Sequence, residues 1–164
     1  MKFVYVLIPV ICLAAFAGFT EFGAHGGIML PSGDAGDSYE LSPMIGVNLL
    51  VHMPNIAVEG SASYVFLGSN LDENDWSAYM VPIIGGVRSY TGNLFLGGGG
   101  GLYLTHVEWL ADTGTVSSSD TDLGAYGNAG TIIPIGGTDL EASAKLHWVS
   151  FDTIWFSLTL GIYF

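Results

Sequence analysis

Apolar residues occupy every second position over the last twelve residues of the chain, Thr153 to Phe164. Ile154, Phe156, Leu158, Leu160, Ile162 and Phe164 hold one phase, and Trp155, Ser157, Thr159, Gly161 and Tyr163 hold the other. A period of two belongs to a strand, whose successive side chains point to opposite faces, and not to a helix. The pattern recurs upstream. Leu140, Ala142, Ala144, Leu146 and Trp148 alternate with Asp139, Glu141, Ser143, Lys145 and His147, and Ile56, Val58, Ala62, Tyr64 and Phe66 stand against Glu59, Ser61 and Ser63.

Taken in order, this alternation and the turn residues between its runs predict eight strands. They run from Phe19 to Leu30, Tyr39 to His52, Ile56 to Leu67, Ala78 to Tyr90, Leu94 to about Trp109, Leu123 to Ile135, Thr138 to Val149 and Thr153 to Phe164. The sixth alternates least. Met53-Pro54-Asn55, Thr91-Gly92-Asn93 and Gly136-Gly137 read as tight turns. Pro31 to Asp37, Asn70 to Trp76 and Ala111 to Asp122 read as loops, the last being the longest. Five consecutive glycines, Gly97 to Gly101, lie inside the fifth strand and are followed by Leu-Tyr-Leu-Thr rather than a helix. They fit close approach of a neighbouring aromatic, or a bend in the wall, and not a phosphate cradle.

Composition says where such strands would be stable. Half of the 164 residues are hydrophobic, the mean hydropathy is +0.51 and 11% are charged. After the amino end no apolar run reaches the roughly eighteen residues that a spanning helix needs. Only helices and closed barrels satisfy every backbone group in lipid, so the expected fold is all-β: an eight-stranded antiparallel up-and-down transmembrane β-barrel. The amino end has the parts of an export signal: Lys2, the apolar stretch Phe3 to Leu13, and the small-x-small motif Ala15-Phe16-Ala17. The expected organisation is a cleaved signal peptide at 1–17 and a barrel domain at 18–164. Cys12, the only cysteine, falls in the signal, and Ile11 before it is too large for a lipoprotein cut.

The net charge of −12 argues against nucleic acid, because after the signal only Arg88 and Lys145 remain as bases. Asp34, Asp37, Asp72, Glu73, Asp75, Asp112, Asp120, Asp122 and Asp152 lie in turn-like segments and read as solvated loops. The other ionisable groups decide which face is interior. A soluble lipocalin-like barrel would turn its apolar residues inward, but Glu59, Arg88, Glu141 and Lys145 all lie opposite the apolar stripe. Glu59 and Arg88 are nearly equidistant from Glu73, which predicts an ion pair inside the barrel near its turn end. Glu141 and Lys145, four apart on one strand, share a face and extend it into an interior charge network. This network fits a proton or ion path, or a neutral plug. The plug is favoured, because eight strands leave an interior just wide enough for side chains.

The closing strand, with Leu160, Ile162 and a terminal Phe164, resembles that of Gram-negative outer-membrane β-barrels, and at this length the small OmpA/OmpX-type barrels. The resemblance implies an integral outer-membrane location with both termini periplasmic. Leu160, Ile162 and Phe164 would then be the signal read by the barrel-assembly machinery. Periplasmic chaperones during biogenesis, surrounding lipids including lipopolysaccharide, a monomeric state and no cofactor are also implied. The expected function is structural or interactive, without catalysis; the alternative is porin-like transport or binding of a small molecule. Lipid A deacylases of similar size carry a His-x-Ser motif followed by an acid. Here His147 and Ser150 are three apart and fall on opposite faces, and no carboxylate follows Asp152. No metal site is expected. His25, His52, His106 and His147 are scattered over four strands, and Asp72-Glu73-Asn74-Asp75 lacks the calcium-loop pattern.

Overall fold

Eight antiparallel strands, each hydrogen-bonded to its neighbours in sequence and the first to the last, form a closed barrel. The structure is a computed structural model and describes residues 19–32, 39–68, 76–111, 114–150 and 153–164. The strands are β1 (Thr20–Ser32), β2 (Ser42–His52), β3 (Ile56–Leu67), β4 (Trp76–Thr91), β5 (Leu94–Ala111), β6 (Gly114–Ile135), β7 (Thr138–Val149) and β8 (Thr153–Tyr163). The expected signal peptide with Cys12, and Asp34, Asp37, Asp72, Glu73, Asp75, Asp112 and Asp152, lie outside the described residues.

The ring closes between β1 and β8. Phe164 N–H donates to the Phe22 carbonyl at 2.9 Å and Phe22 N–H to the Phe164 carbonyl at 3.3 Å. Following paired residues once around the ring leads from Phe22 through Leu49, Gly60, Gly85, Gly100, Ala125, Trp148 and Ile154 to Ser32. The walk returns to β1 ten residues beyond its start. This stagger sets the strand tilt, and for eight strands it leaves a lumen filled by side chains.

The alternation sorts the two faces. Leu160 is 61% and Phe164 70% exposed on the outer wall, together with Ile154, Phe156, Leu158 and Ile162, while Trp155, Ser157, Thr159, Gly161 and Tyr163 are buried inside. The other strands follow the same rule. Ile45, Val47, Phe66, Ile83, Val87, Leu94, Leu96, Leu123 and Ile133 face out, whereas Asn48, Glu59, Ser61, Ser63, Arg88, Asn128, Glu141, Lys145 and His147 face in. Oily outside and polar inside is the reverse of a soluble barrel. Near the loop end of the wall Tyr64 stacks on Tyr79 at 5.0 Å and meets Phe66 at 4.7 Å, and Tyr79 meets His106 at 5.1 Å. Such a row of rings on an apolar outer wall has the form of the aromatic girdles of transmembrane barrels.

Two expectations are corrected. The stretch read as the longest loop, Ala111 to Asp122, is mostly strand. β5 and β6 pair without a break from Leu94↔Thr131 to Ala111↔Gly114, which puts Asp120 and Asp122 on β6. Beyond Leu123 both faces of β6 are polar, so the period of two has no apolar phase to reveal it. Nor does an aromatic ring close on any of the five glycines. A side chain at Gly99 or Gly101 would strike backbone of β4, so strand-to-strand crowding inside the ring requires these two. The aromatic contacts fall on other glycines: the Tyr163 ring covers Gly23, Tyr103 covers Gly124 and Phe95 covers Gly130.

Candidate functional site

The lumen has two layers, and the position of each residue along its strand assigns it to one of them. Near the short turns lies a charged layer. Arg88, late on β4, is 1% exposed and ion-pairs with Glu59 of β3 through Nε and with Glu141 of β7 through Nη1. Its Nη2 donates to Glu141 Oε1 at 3.4 Å, and its guanidinium lies 4.4 Å from the centre of the Phe95 ring. The Arg88 fork is therefore used on both sides, as a buried guanidinium needs if desolvation is to be offset. The register puts Arg88 opposite Ala57, so Glu59 reaches it diagonally.

Glu59 also accepts from the Tyr126 hydroxyl and from Asn128 Nδ2, both on β6. These two partners went unread in the sequence because the sixth strand alternates poorly there. Lys145 lies within electrostatic reach of Glu59 and Glu141 in the same layer. It is buried, its ammonium lies 5.7 Å from the centre of the Tyr126 ring, and it makes no ion pair among the described residues. Hydroxyls, amides and imidazoles fill the space between. Asn48 Nδ2 donates to Tyr163 Oη at 2.8 Å, Ser143 and Thr159 share a hydrogen bond at 2.7 Å, and His25 Nε2 bonds with Ser63 Oγ at 2.9 Å. At the turn-side rim His52 Nε2 meets Glu21 Oε2 at 2.6 Å.

The second layer, towards the loop end, is apolar. Met29, Met44, Val65, Leu67, Met80, Ile84, Tyr103, Tyr126, Val149 and Trp155 form one buried cluster inside the barrel. The three flexible thioethers fill irregular space that stiffer side chains would leave open. Above it the mouth is a cup of about 440 Å³ whose lining includes Tyr39, Met80, Asp120, Asp122 and Trp155. Alternation of β2 to β4 did not disclose this plug. There both phases are apolar, as with Val65 between Tyr64 and Phe66.

Beneath the plug His147 bridges two hydroxyls, Tyr103 Oη at 2.8 Å from Nδ1 and Ser157 Oγ at 3.1 Å from Nε2. The arrangement has the outline of a hydroxyl activated by an imidazole. Ser157, however, is 0% exposed inside the ring, and the site has no access for a substrate. Ser150 lies apart from His147 and donates to Asp122. Among the described residues no group of three or more His, Cys, Asp or Glu side chains is placed to hold a metal ion. Of the remaining histidines, His106 lies on the outer wall with Ser119 at 2.7 Å.

No family model matches the sequence, and no curated protein is significantly similar to it. Solved structures do match the fold. The chain is similar to Ail, the attachment invasion locus protein of Yersinia pestis, at a TM-score of 0.68 and 16% identity over 90% of this chain and 99% of that one. Ail in complex with the heparin analogue sucrose octasulfate matches at a TM-score of 0.61 and 15% identity over 88% and 96%. Neisserial surface protein A matches at 0.58 and 10% identity over 88% and 95%. The N-terminal β-barrel domain of Pseudomonas aeruginosa OprF matches at 0.57 and 13% identity over 88% and 97%. The fold is that of the small outer-membrane barrels.

Proposed function

We propose that the mature chain is an integral barrel of the Gram-negative outer membrane with a structural and interaction role and no catalytic activity. One observation carries this reading: an apolar outer wall surrounds a lumen filled by a charge cluster at one level and an apolar plug at the other. Such a wall is stable against acyl chains, and a filled interior passes no solute freely.

Residues 1–17 serve as the export signal, and an even number of strands leaves both termini in the periplasm. Periplasmic chaperones and the barrel-assembly machinery deliver the chain, with Leu160, Ile162 and Phe164 as the assembly signal. Lipids including lipopolysaccharide then surround it as a monomer. Glu59, Arg88, Glu141 and Lys145 contribute two acids and two bases, a neutral plug and not an ion path. Ail is described in complex with a heparin analogue. Here Arg88 and Lys145 face the lumen, so among the described residues a sulfated polyanion meets no Lys or Arg on the outside.

Purified protein in planar bilayers tests the closed lumen. Silence is expected, and steady channels would replace this reading with porin-like transport. Mass spectrometry of lipid A from cells with and without the protein tests catalysis, and a changed mass would put a lipid A-modifying enzyme in its place. Boiled and unboiled samples are expected to migrate differently on a denaturing gel, because the closed ladder resists detergent until heated.

A further inference from the structure

Acidic and aromatic side chains meet in the cup at the loop end of the barrel. Asp120 and Asp122 line it from β6, on the same even-numbered phase that turns Tyr126 and Asn128 into the lumen further along the strand. Tyr39, which precedes β2, and Trp155 of β8 line it with rings whose centres are 5.6 Å apart. Trp76, at the start of β4, lies against Tyr39 at 5.8 Å. Leu67, Met80 and Val149 are the members of the apolar plug that the cup exposes at its floor.

The two carboxylates are oriented but not neutralised. Asp120 Oδ1 accepts the Thr121 N–H at 2.8 Å, and Asp122 Oδ1 accepts from the Ser150 hydroxyl. Neither makes an ion pair among the described residues, and each has its Oδ2 to offer. The sequence holds no cation for them. After the signal its only bases, Arg88 and Lys145, are buried in the lumen. The connections at this end, 33–38, 69–75, 112–113 and 151–152, contain acids and neither Lys nor Arg.

Such a recess concentrates cations, and its remaining lining decides which kind. Among the described residues no group of three or more acids, histidines or cysteines is placed to hold a bare metal ion. An organic ammonium suits every part of the lining. Its charge meets the carboxylates, its N-methyl or methylene groups lie on the ring faces, and an apolar body rests on the floor. The volume of about 440 Å³ suits a small molecule, whose pockets run from about 300 to 1,000 Å³.

We infer that the loop-end cup binds a small organic cation, an ammonium group carried on an apolar body. The inference goes beyond the structural role and rests on that reading only for this end being external. Its test therefore uses the full barrel refolded in detergent, where cellular location plays no part. The detergent is nonionic, because zwitterionic ones carry an ammonium of their own.

The probe is benzyltrimethylammonium, with binding read by calorimetry and by tryptophan fluorescence. Benzyl alcohol keeps the ring without the charge, and tetramethylammonium keeps the charge without the ring. The wild-type barrel is expected to bind the probe about tenfold or more tightly than either control, and to bind it less well as sodium chloride is raised. Asp120→Asn combined with Asp122→Asn, and Tyr39→Leu, are each expected to weaken binding of the probe about tenfold. Trp155→Leu is the second ring variant, and heat-dependent gel migration checks that each is folded. Benzyl alcohol binding as tightly as the probe would reduce the cup to a plain apolar pocket and end the proposal. Undiminished binding by the folded asparagine pair or by both ring variants, or no binding by the wild type, would each overturn it as well.

Discussion

Arg88 on β4 reaches across the lumen to Glu141 on β7, two residues that are far apart in sequence and not on neighbouring strands. The pair ties opposite walls of the ring together, with Glu59 as a third member on the adjacent strand. Removing one member of such a cluster leaves uncompensated charge in a closed interior.

Arg88→Met is accordingly expected to destabilise the refolded barrel by about 3–5 kcal/mol. Adding Glu59→Gln and Glu141→Gln to the same chain should recover most of the loss. Equilibrium unfolding in urea, followed by tryptophan fluorescence in lipid vesicles, measures both. No recovery in the triple variant would mean that Arg88 acts through its contact with Phe95 more than through charge.

The two walls also separate the glycines by role. A methyl group at Gly60 meets nothing within 4 Å, whereas at Gly99 it meets backbone of β4. Gly60→Ala is expected to be neutral or to gain up to about 1 kcal/mol from reduced backbone freedom. Gly99→Ala should cost about 1–3 kcal/mol through overpacking. The same urea titrations distinguish the two.

Depth in the wall gives a third expectation. Leu158 lies mid-strand on the outer wall and Phe164 at the turn-side rim. Leu158→Arg should cost about 2–4 kcal/mol in vesicles, and Phe164→Arg no more than about 1 kcal/mol. If Phe164 is part of the assembly signal, its variant refolds normally in vitro but accumulates poorly in the outer membrane of cells. Equal cellular amounts of wild type and variant would remove Phe164 from that role.

Tyr103→Phe leaves His147 Nδ1 without its hydroxyl partner inside the ring. The expected loss is about 1–3 kcal/mol, the cost of an unsatisfied buried polar group. Unfolding midpoints of the variant and wild type, compared at equal protein-to-lipid ratio, give the value.

Local alternation made most of the wall legible in the sequence. The strands closing the ring alternate because one face forms the apolar outer wall and the other lines the lumen. The same rule assigned Glu59, Arg88, Glu141 and Lys145 to the interior. It failed where one of those two environments changes. Beyond Leu123 the outward positions Thr121, Ser119, Ser117 and Thr115 are no longer apolar, so the extension of β5 and β6 looked like a loop. Around Met44, Val65 and Met80 the lumen itself is apolar, so the two faces could not be told apart. Contacts such as Tyr103 with His147, or Tyr126 with Glu59, depend on the stagger of strands distant in sequence, which alternation does not encode.

The ten-residue return from Phe22 to Ser32 has a consequence for how the chain can vary. One extra residue inside any strand would turn the rest of that strand inside out. Two would slide it a full repeat against both neighbours, and a ring offers no end at which such slippage can be absorbed. Insertions and deletions are therefore confined to the connections, and the β5–β6 hairpin, which leaves the ring before it turns, is the place where added length costs the wall nothing.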